Sequence, residues 1–261
     1  MLNIIKSYMY NTRSNDKTYA YYRGLMAVYI IKDDELEMPR LTANQVWNAY
    51  IENTPKTIKL GLHELSKMWT RWTHSANGVV FKNIIAFSGK YGENYFPEIL
   101  EQLEALLKEP DHQVGVFEVL TEFIKRLNAQ YLSKESFKQS VRSIFSDNLY
   151  TIPESVRPSL ARSLALFIDK LHEERFFEDL LYSTIEKMDH TDESNEEYTK
   201  NLHLLKDLLQ TNSNKVVDRV INKVMEAPMS EFKIEVITNN AERLANYLYS
   251  HFKVPATELF I

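Results

Sequence analysis

The sequence predicts an all-α fold, a HEAT-like helical-repeat solenoid of antiparallel helix pairs. Three observations predict it. From about Gly78 onward apolar residues recur at three- and four-residue spacing, the period of a helix buried along one face. Only six Gly and eight Pro occur in 261 residues, too few for an all-β sandwich, which needs a turn every ten residues or so. Helical segments roughly forty residues apart also lie over one another in register, as HEAT-like units do.

Taken in chain order, residues 1–40 read as a Tyr-rich, basic and partly helical segment, since six of the fifteen Tyr lie in the first thirty residues. Residues 41–90 form a basic helical region that holds all three Trp (Trp47, Trp69, Trp72), and residues 91–261 hold the HEAT-like repeats. A helix is expected from Thr42 to Glu52, ended by Asn53-Thr54-Pro55. The next expected helix carries Ile58, Leu62, Leu65, Trp69 and Trp72 on one side. A third, about Glu93 to Lys108, places Phe96, Ile99, Leu100, Leu103, Leu106 and Leu107 on one face, with Pro97 in its first turn, where the missing N–H costs nothing. After Glu109-Pro110-Asp111, a helix from about His112 to Leu127 carries a broad stripe of Val116, Val119, Leu120, Phe123, Ile124 and Leu127. Ser133 reads as the N-cap of a helix bearing Phe137, Val141, Ile144 and Phe145. Pro153 opens one that continues to about Leu171. The acidic stretch Asp189 to Glu197 reads as an exposed loop, and a helix from Asn240 to Phe252 closes the array.

The repeat lies in the overlay. Leu120, Phe123, Ile124 and Leu127 fall on Leu164, Phe167, Ile168 and Leu171, and Leu202, Leu205 and Leu209 continue the register, at intervals of 44 and 38 residues. Partner helices begin near Asn94, Ser133, Glu174 and Ser213, 39, 41 and 39 residues apart. Two helices and two turns make a unit whose apolar face is buried only by the next unit, which fixes such a period. An antiparallel bundle with short loops gives a similar spacing, and the repeat array is the preferred reading.

The absence of Cys removes disulfides, thiolate metal sites and cysteine nucleophiles. No signal-peptide order opens the chain, and no apolar run approaches the ~18 residues needed to cross a bilayer. A soluble, intracellular protein, nuclear and/or cytoplasmic, is expected. Net charge is -5 but uneven, because residues 1–90 hold twelve Lys or Arg against seven Asp or Glu.

Candidate chemistry is sparse. His172-Glu173-Glu174-Arg175 begins like a zinc-protease motif, but Phe176 stands where the second His is required. The same residues fit the H-x-x-R of tyrosine recombinases without the strands or nucleophile that belong with it. His63 and His74 have no ligand partner at suitable spacing, and no G-x-G-x-x-G, P-loop or G-x-S-x-G occurs. No enzymatic activity, cofactor, metal, membrane or small-molecule substrate is expected.

The strongest site candidate is a cationic stripe. Lys56, Lys59, His63, Lys67 and Arg71 advance by 3, 4, 4 and 4 residues and share one helical face, suited to nucleic acid or an acidic partner. With the preceding helix it makes a helix-turn-helix. Ser75-Ala76-Asn77-Gly78 would turn a small wing between strands at Trp69 to Thr73 and Val79 to Phe81. The alternative is the solvated outer face of another repeat, favoured because no arginine cluster supports phosphate binding. A non-catalytic scaffold or regulatory subunit that binds proteins is therefore expected, with a nucleic-acid-binding regulator as the second reading.

Several packing motifs carry a resemblance: Phe81-Lys82-x-Ile84, Phe96-Pro97-x-Ile99-Leu100-x-x-Leu103-x-x-Leu106, and the Val119-Leu120-x-x-x-Ile124-x-Arg126 helix, followed by Lys134-Glu135-Ser136. With weaker echoes at Tyr21 to Tyr29 and Glu173 to Leu181, the stretch from about Val80 to Ile185 resembles part of the large single-chain HEAT-repeat proteasome activators, the proteasome activator subunit 4 family. The resemblance implies a mainly nuclear cap on the proteolytic core particle, without peptidase or ATPase activity. Members of that family are far longer, so the chain would be a segment of a larger solenoid, and no binding residue carries over.

Overall fold

The computed structural model describes residues 19–73, 78–189, 196–211 and 238. Among them every regular element is helical and no strand occurs, and the helices pair antiparallel in HEAT-like fashion. The chain divides into two compact units between Phe145 and Ser146.

In the first unit, α1 (Tyr19–Ile31) is apolar nearly all round towards its end, with Leu25 to Ile30 buried without a break. Such a helix is stable only when enclosed, and α1 is packed against by the three helices that follow it. In α2 (Glu37–Tyr50) the buried Ala43, Val46 and Trp47 sit three and four apart. The Trp47 indole N–H donates to Thr54 Oγ1 across the turn at 3.0 Å. Asn53 then caps α3 (Thr54–Trp72), its side-chain oxygen accepting the Lys56 backbone N–H at 3.0 Å, with Pro55 in the first turn, where it has no bond to break. Ile58, Leu62, Leu65 and Trp69 are buried as the pattern requires, whereas Trp72, on the last turn, is 37% exposed.

Helix α4 runs unbroken from Val79 to Leu106, where the sequence suggested a start at Glu93. Pro97 therefore lies inside a helix rather than in a first turn, and leaves the Glu93 carbonyl without its usual N–H donor. Burial outweighs that loss: Val80, Ile84, Phe87, Phe96, Ile99, Leu100, Leu103 and Leu106 keep one helical period across the Pro, and all are buried. The proposed wing fails for the same reason. Its two strands are helical, the first at the end of α3 and the second in the first turn of α4, because Trp69 and Val80 are drawn into the core by helical spacing. Gly78, at φ 59°, makes the left-handed entry to α4, and residues 74–77 lie outside the described residues.

A 3-10 turn at Pro110–His112 leads into α5 (Gln113–Arg126), buried on nearly every side. Gly115 sits where α5 meets α3 so closely that an added methyl would overlap the Thr70 carbonyl. After the short α6 (Ala129–Leu132) comes α7 (Glu135–Asn148). Ser133 does not cap α7 but closes α6, its hydroxyl donating to the Gln130 carbonyl at 2.9 Å.

The packing order is the structural signature of a repeat. Helix α3 packs on α1, α4 and α5, and α4 packs on α5, so every second helix meets as well as neighbours in sequence. An aromatic chain runs through these layers: Trp69 to Phe87 (5.0 Å between centroids), Phe87 to Phe123 (6.3 Å), Phe123 to Phe96 (5.1 Å) and Phe96 to Phe137 (5.2 Å). Beside it lies a buried polar link. The Trp69 indole donates to Asn83 Oδ1 at 2.8 Å, and Asn83 Nδ2 donates to Asp33 Oδ2 at 2.6 Å and to the Tyr29 carbonyl at 3.3 Å. Three helices are thereby joined at a group that would be costly to bury unpaired.

The second unit holds a 3-10 turn (Glu154–Val156), α8 (Arg157–Leu171), α9 (Glu174–Asp189) and α10 (Glu196–Thr211). Helix α8 packs on α9 and on α10, and α9 on α10, which repeats the alternate packing. The overlaid residues behave alike in both units: Leu120, Phe123, Ile124 and Leu127 in α5, and Leu164, Phe167, Ile168 and Leu171 in α8, are all buried. The third set, Leu202, Leu205 and Leu209, lies outside the described side chains, as do residues 190–195 and the helices expected at Ser213 and Asn240.

Candidate functional site

Helix α3 gathers the five predicted residues along one edge. Lys56, Lys59, His63 and Arg71 are exposed and Lys67 is half-buried. The facing residues come from α4 and the turn after it. Tyr95 donates its hydroxyl to the Pro55 carbonyl at 3.0 Å, Lys59 Nζ lies 3.9 Å from Glu98, His63 Nδ1 lies 2.6 Å from Gln102 Oε1, and Lys67 Nζ lies 3.5 Å from Glu109. The middle of the stripe is thus a zipper in which Lys59 and Lys67 face carboxylates and His63 faces an amide. Exposed pairs of this kind contribute about 0–1 kcal/mol each, so they set local charge more than stability. Sequence spacing found the Lys row and missed Glu98, Gln102 and Glu109, although the first two sit four apart on their own helix.

The zipper ends at His112, which is buried. Its Nδ1 is 2.7 Å from Thr70 Oγ1, and its Nε2 is 3.5 Å from Glu109. Burial lowers its affinity for a proton most; Lys67 and Arg71 act in the same direction, and Glu109 and Asp111 oppose them. The unfolded chain therefore binds the proton more readily than the folded one. Stability is full above the ordinary His range near pH 6.5 and falls as pH drops below it. The urea midpoint should accordingly decrease between pH 7.5 and 5.5, and His112→Asn, which keeps a hydrogen-bonding atom near Nδ1, should flatten that slope. An equal slope in both proteins would rule the assignment out.

His172 occupies the left-handed position that ends α8, at φ 55°, with its N–H on the Ile168 carbonyl. The His-Glu-Glu-Arg sequence is thus a helix stop, a common role for that conformation. Among the described residues no group of three or more His, Asp or Glu could hold a metal ion, and no helix is long and apolar enough to cross a membrane. His74 lies outside the described residues.

A second surface rich in Lys, which residue spacing could not assemble, lies where α1, α2 and α4 meet. A cavity of about 330 Å³ is lined there by, among others, Tyr29, Lys32, Asp33, Trp47, Lys90 and Tyr91. A neighbouring one of about 540 Å³ runs over Gly89 and Gly92 to Arg126 and Asn128 and shares Lys90 with the first.

No protein-family profile matches the chain and no solved structure does. It is similar to the eIF-2-alpha kinase activator GCN1 of Saccharomyces cerevisiae, with 25% identity over 240 residues, 89% of this chain. The chain spans about 9% of that protein's length. The likeness, together with paired helices in both units, supports a general HEAT or armadillo type of helical repeat and an interaction-scaffold role.

Proposed function

We propose that this chain is a non-catalytic helical-repeat segment of a larger scaffold, and that the scaffold engages a protein kinase of the class that acts on eIF-2-alpha. The observation that carries the scaffold reading is the alternate packing of α1, α3 and α5, which builds a rigid stack and leaves outer helix edges to be decorated for binding. The partner class rests on the likeness to GCN1, which extends over most of this chain. The residues shared with proteasome activators speak for packing instead, since Ile84, Phe96, Ile99, Leu100, Leu103 and Leu106 are all buried. Any stacked helix would need them.

The experiment is quantitative binding of the purified chain to an eIF-2-alpha kinase and, in parallel, to a proteolytic core particle. Saturable binding to the kinase, with faster autophosphorylation, is the expected result. Binding to the core particle alone would move the function to a proteasome cap, and binding to neither would remove the proposal. Nucleic acid is a further arm of the test. Because Glu98 and Glu109 are interleaved with Lys59 and Lys67, a phosphate backbone laid on the stripe would meet both signs of charge. The chain is expected to pass through a DNA column at low salt. Retention that Lys59→Glu/Lys67→Glu abolishes would favour the nucleic-acid reading.

A further inference from the structure

We propose that the two cavities meeting at Lys90 form one groove that takes an extended, acidic segment of a protein partner. The proposal rests on the scaffold reading and names the surface and the chemistry it selects. Lys32 and Lys90 have no carboxylate within ion-pairing distance among the described residues; Asp33, the acid nearest to Lys32 in sequence, is held by Asn83 at 2.6 Å. The Lys32 ammonium instead rests over the Trp47 ring at 4.9 Å and the Tyr29 ring at 5.5 Å, and the Lys90 ammonium lies 5.2 Å from the Tyr91 ring. Burial makes the charge on Lys32 harder to keep; Asp33 nearby partly offsets this, and Lys90 adds to it. An incoming carboxylate supplies the direct ion pair that Asp33, whose Oδ2 is held by Asn83, does not make.

The rest of the lining suits a peptide. The half-buried Tyr91 ring on the wall offers its face to an apolar side chain beside the acid. Gly89, exposed and with nothing within 4 Å of an added methyl, gives the second cavity a low floor over which a backbone can pass. Arg126 at the far end is exposed and can turn from Glu122, 3.6 Å away, because Lys125 still pairs with that carboxylate at 2.7 Å. Glu93, also in the second cavity, is the one acidic side chain there and selects against a uniformly acidic ligand at that point. An alternating acidic and apolar strand fits this sequence of sites, since successive side chains of an extended chain point to opposite sides.

The test is fluorescence anisotropy with a labelled peptide of alternating Glu and Leu, and a Lys and Leu peptide as control. The acidic peptide should bind and weaken as salt rises; the basic one should not. Lys32→Gln/Lys90→Gln should lower affinity about tenfold or more, as loss of two charge-assisted contacts implies. Ala86→Trp, at an exposed lining position, should block the first cavity without touching the core and give a similar loss. Lys59→Gln/Lys67→Gln should stay within about twofold, as screened exposed charges do. Absence of binding, or equal losses in the groove and stripe variants, would overturn the proposal. If the peptide fails while the chain still binds the kinase, the groove is wrong and the scaffold reading stands; if neither binds, both fall.

Discussion

Trp69→Ala is expected to destabilise the first unit by about 4 kcal/mol or more, measured as the loss of unfolding free energy in urea. A buried Trp replaced by Ala ordinarily costs about 3–5 kcal/mol through lost contacts and the cavity left behind. Here the ring touches Phe87 and Phe123, so two other helices lose a packing partner. Its N–H is also the donor to Asn83 Oδ1, and an abandoned buried acceptor adds roughly 1–3 kcal/mol. Trp69→Phe separates the two effects, because it retains much of the ring and removes the donor; it should lose only the smaller amount. A Trp69→Ala protein within about 1 kcal/mol of the parent, well under that range, would show that the aromatic chain is not the core of this unit.

The second large effect is at Gly115. In an exposed helix Gly→Ala stabilises by roughly 1 kcal/mol, since Ala restricts the unfolded chain and has the better helix propensity. Gly115→Ala is expected to do the reverse and cost about 2–3 kcal/mol, the upper part of the roughly 1–3 kcal/mol that forcing atoms into a packed interior costs. Its methyl would overlap the backbone carbonyl of Thr70, and a backbone atom cannot rotate away. Gly89→Ala is the internal control: its methyl would meet nothing within 4 Å, so a gain of about 0.5–1 kcal/mol is expected. Opposite signs for one chemical change, read by thermal and urea unfolding, would establish that α3 and α5 cross at Gly115. Matching signs would place that crossing elsewhere.

Much of the fold was legible in the sequence because burial along a helix writes a period into it. The four residues of α5 and their four counterparts in α8 are buried alike, and a helix start near Glu174 matched. The errors have one physical source, which is that local signals were outvoted by packing. Pro97 was read as a beginning because Pro favours a first turn, but the apolar face continues across it from Val80 to Leu106. Ser133 has a hydroxyl suited to either helix end, and nothing local states which helix it serves. At the candidate site, spacing collected the Lys row of α3 correctly on one edge. It could not supply Glu98, Gln102 and Glu109, which belong to another segment, nor the meeting of Lys32 and Lys90, which are 58 residues apart in the chain. Contacts between helices leave no periodic trace, so a groove made by three of them is invisible until they are docked.

The alternate packing in the first unit also bears on how the chain acquires its structure. Hydrogen bonds that tie its helices together join residues such as His63 to Gln102 and Tyr29 to Asn83, which are 39 and 54 positions apart. The loops these bonds close span two or three helices rather than the whole chain, and each doubling of loop length adds only about 0.6 kcal/mol to the closure cost. During synthesis, α1 need wait only until α4 has emerged to complete its enclosure, and each later helix then has a finished surface to settle on. Folding can keep pace with the ribosome, and the long apolar run of α1 is sheltered early.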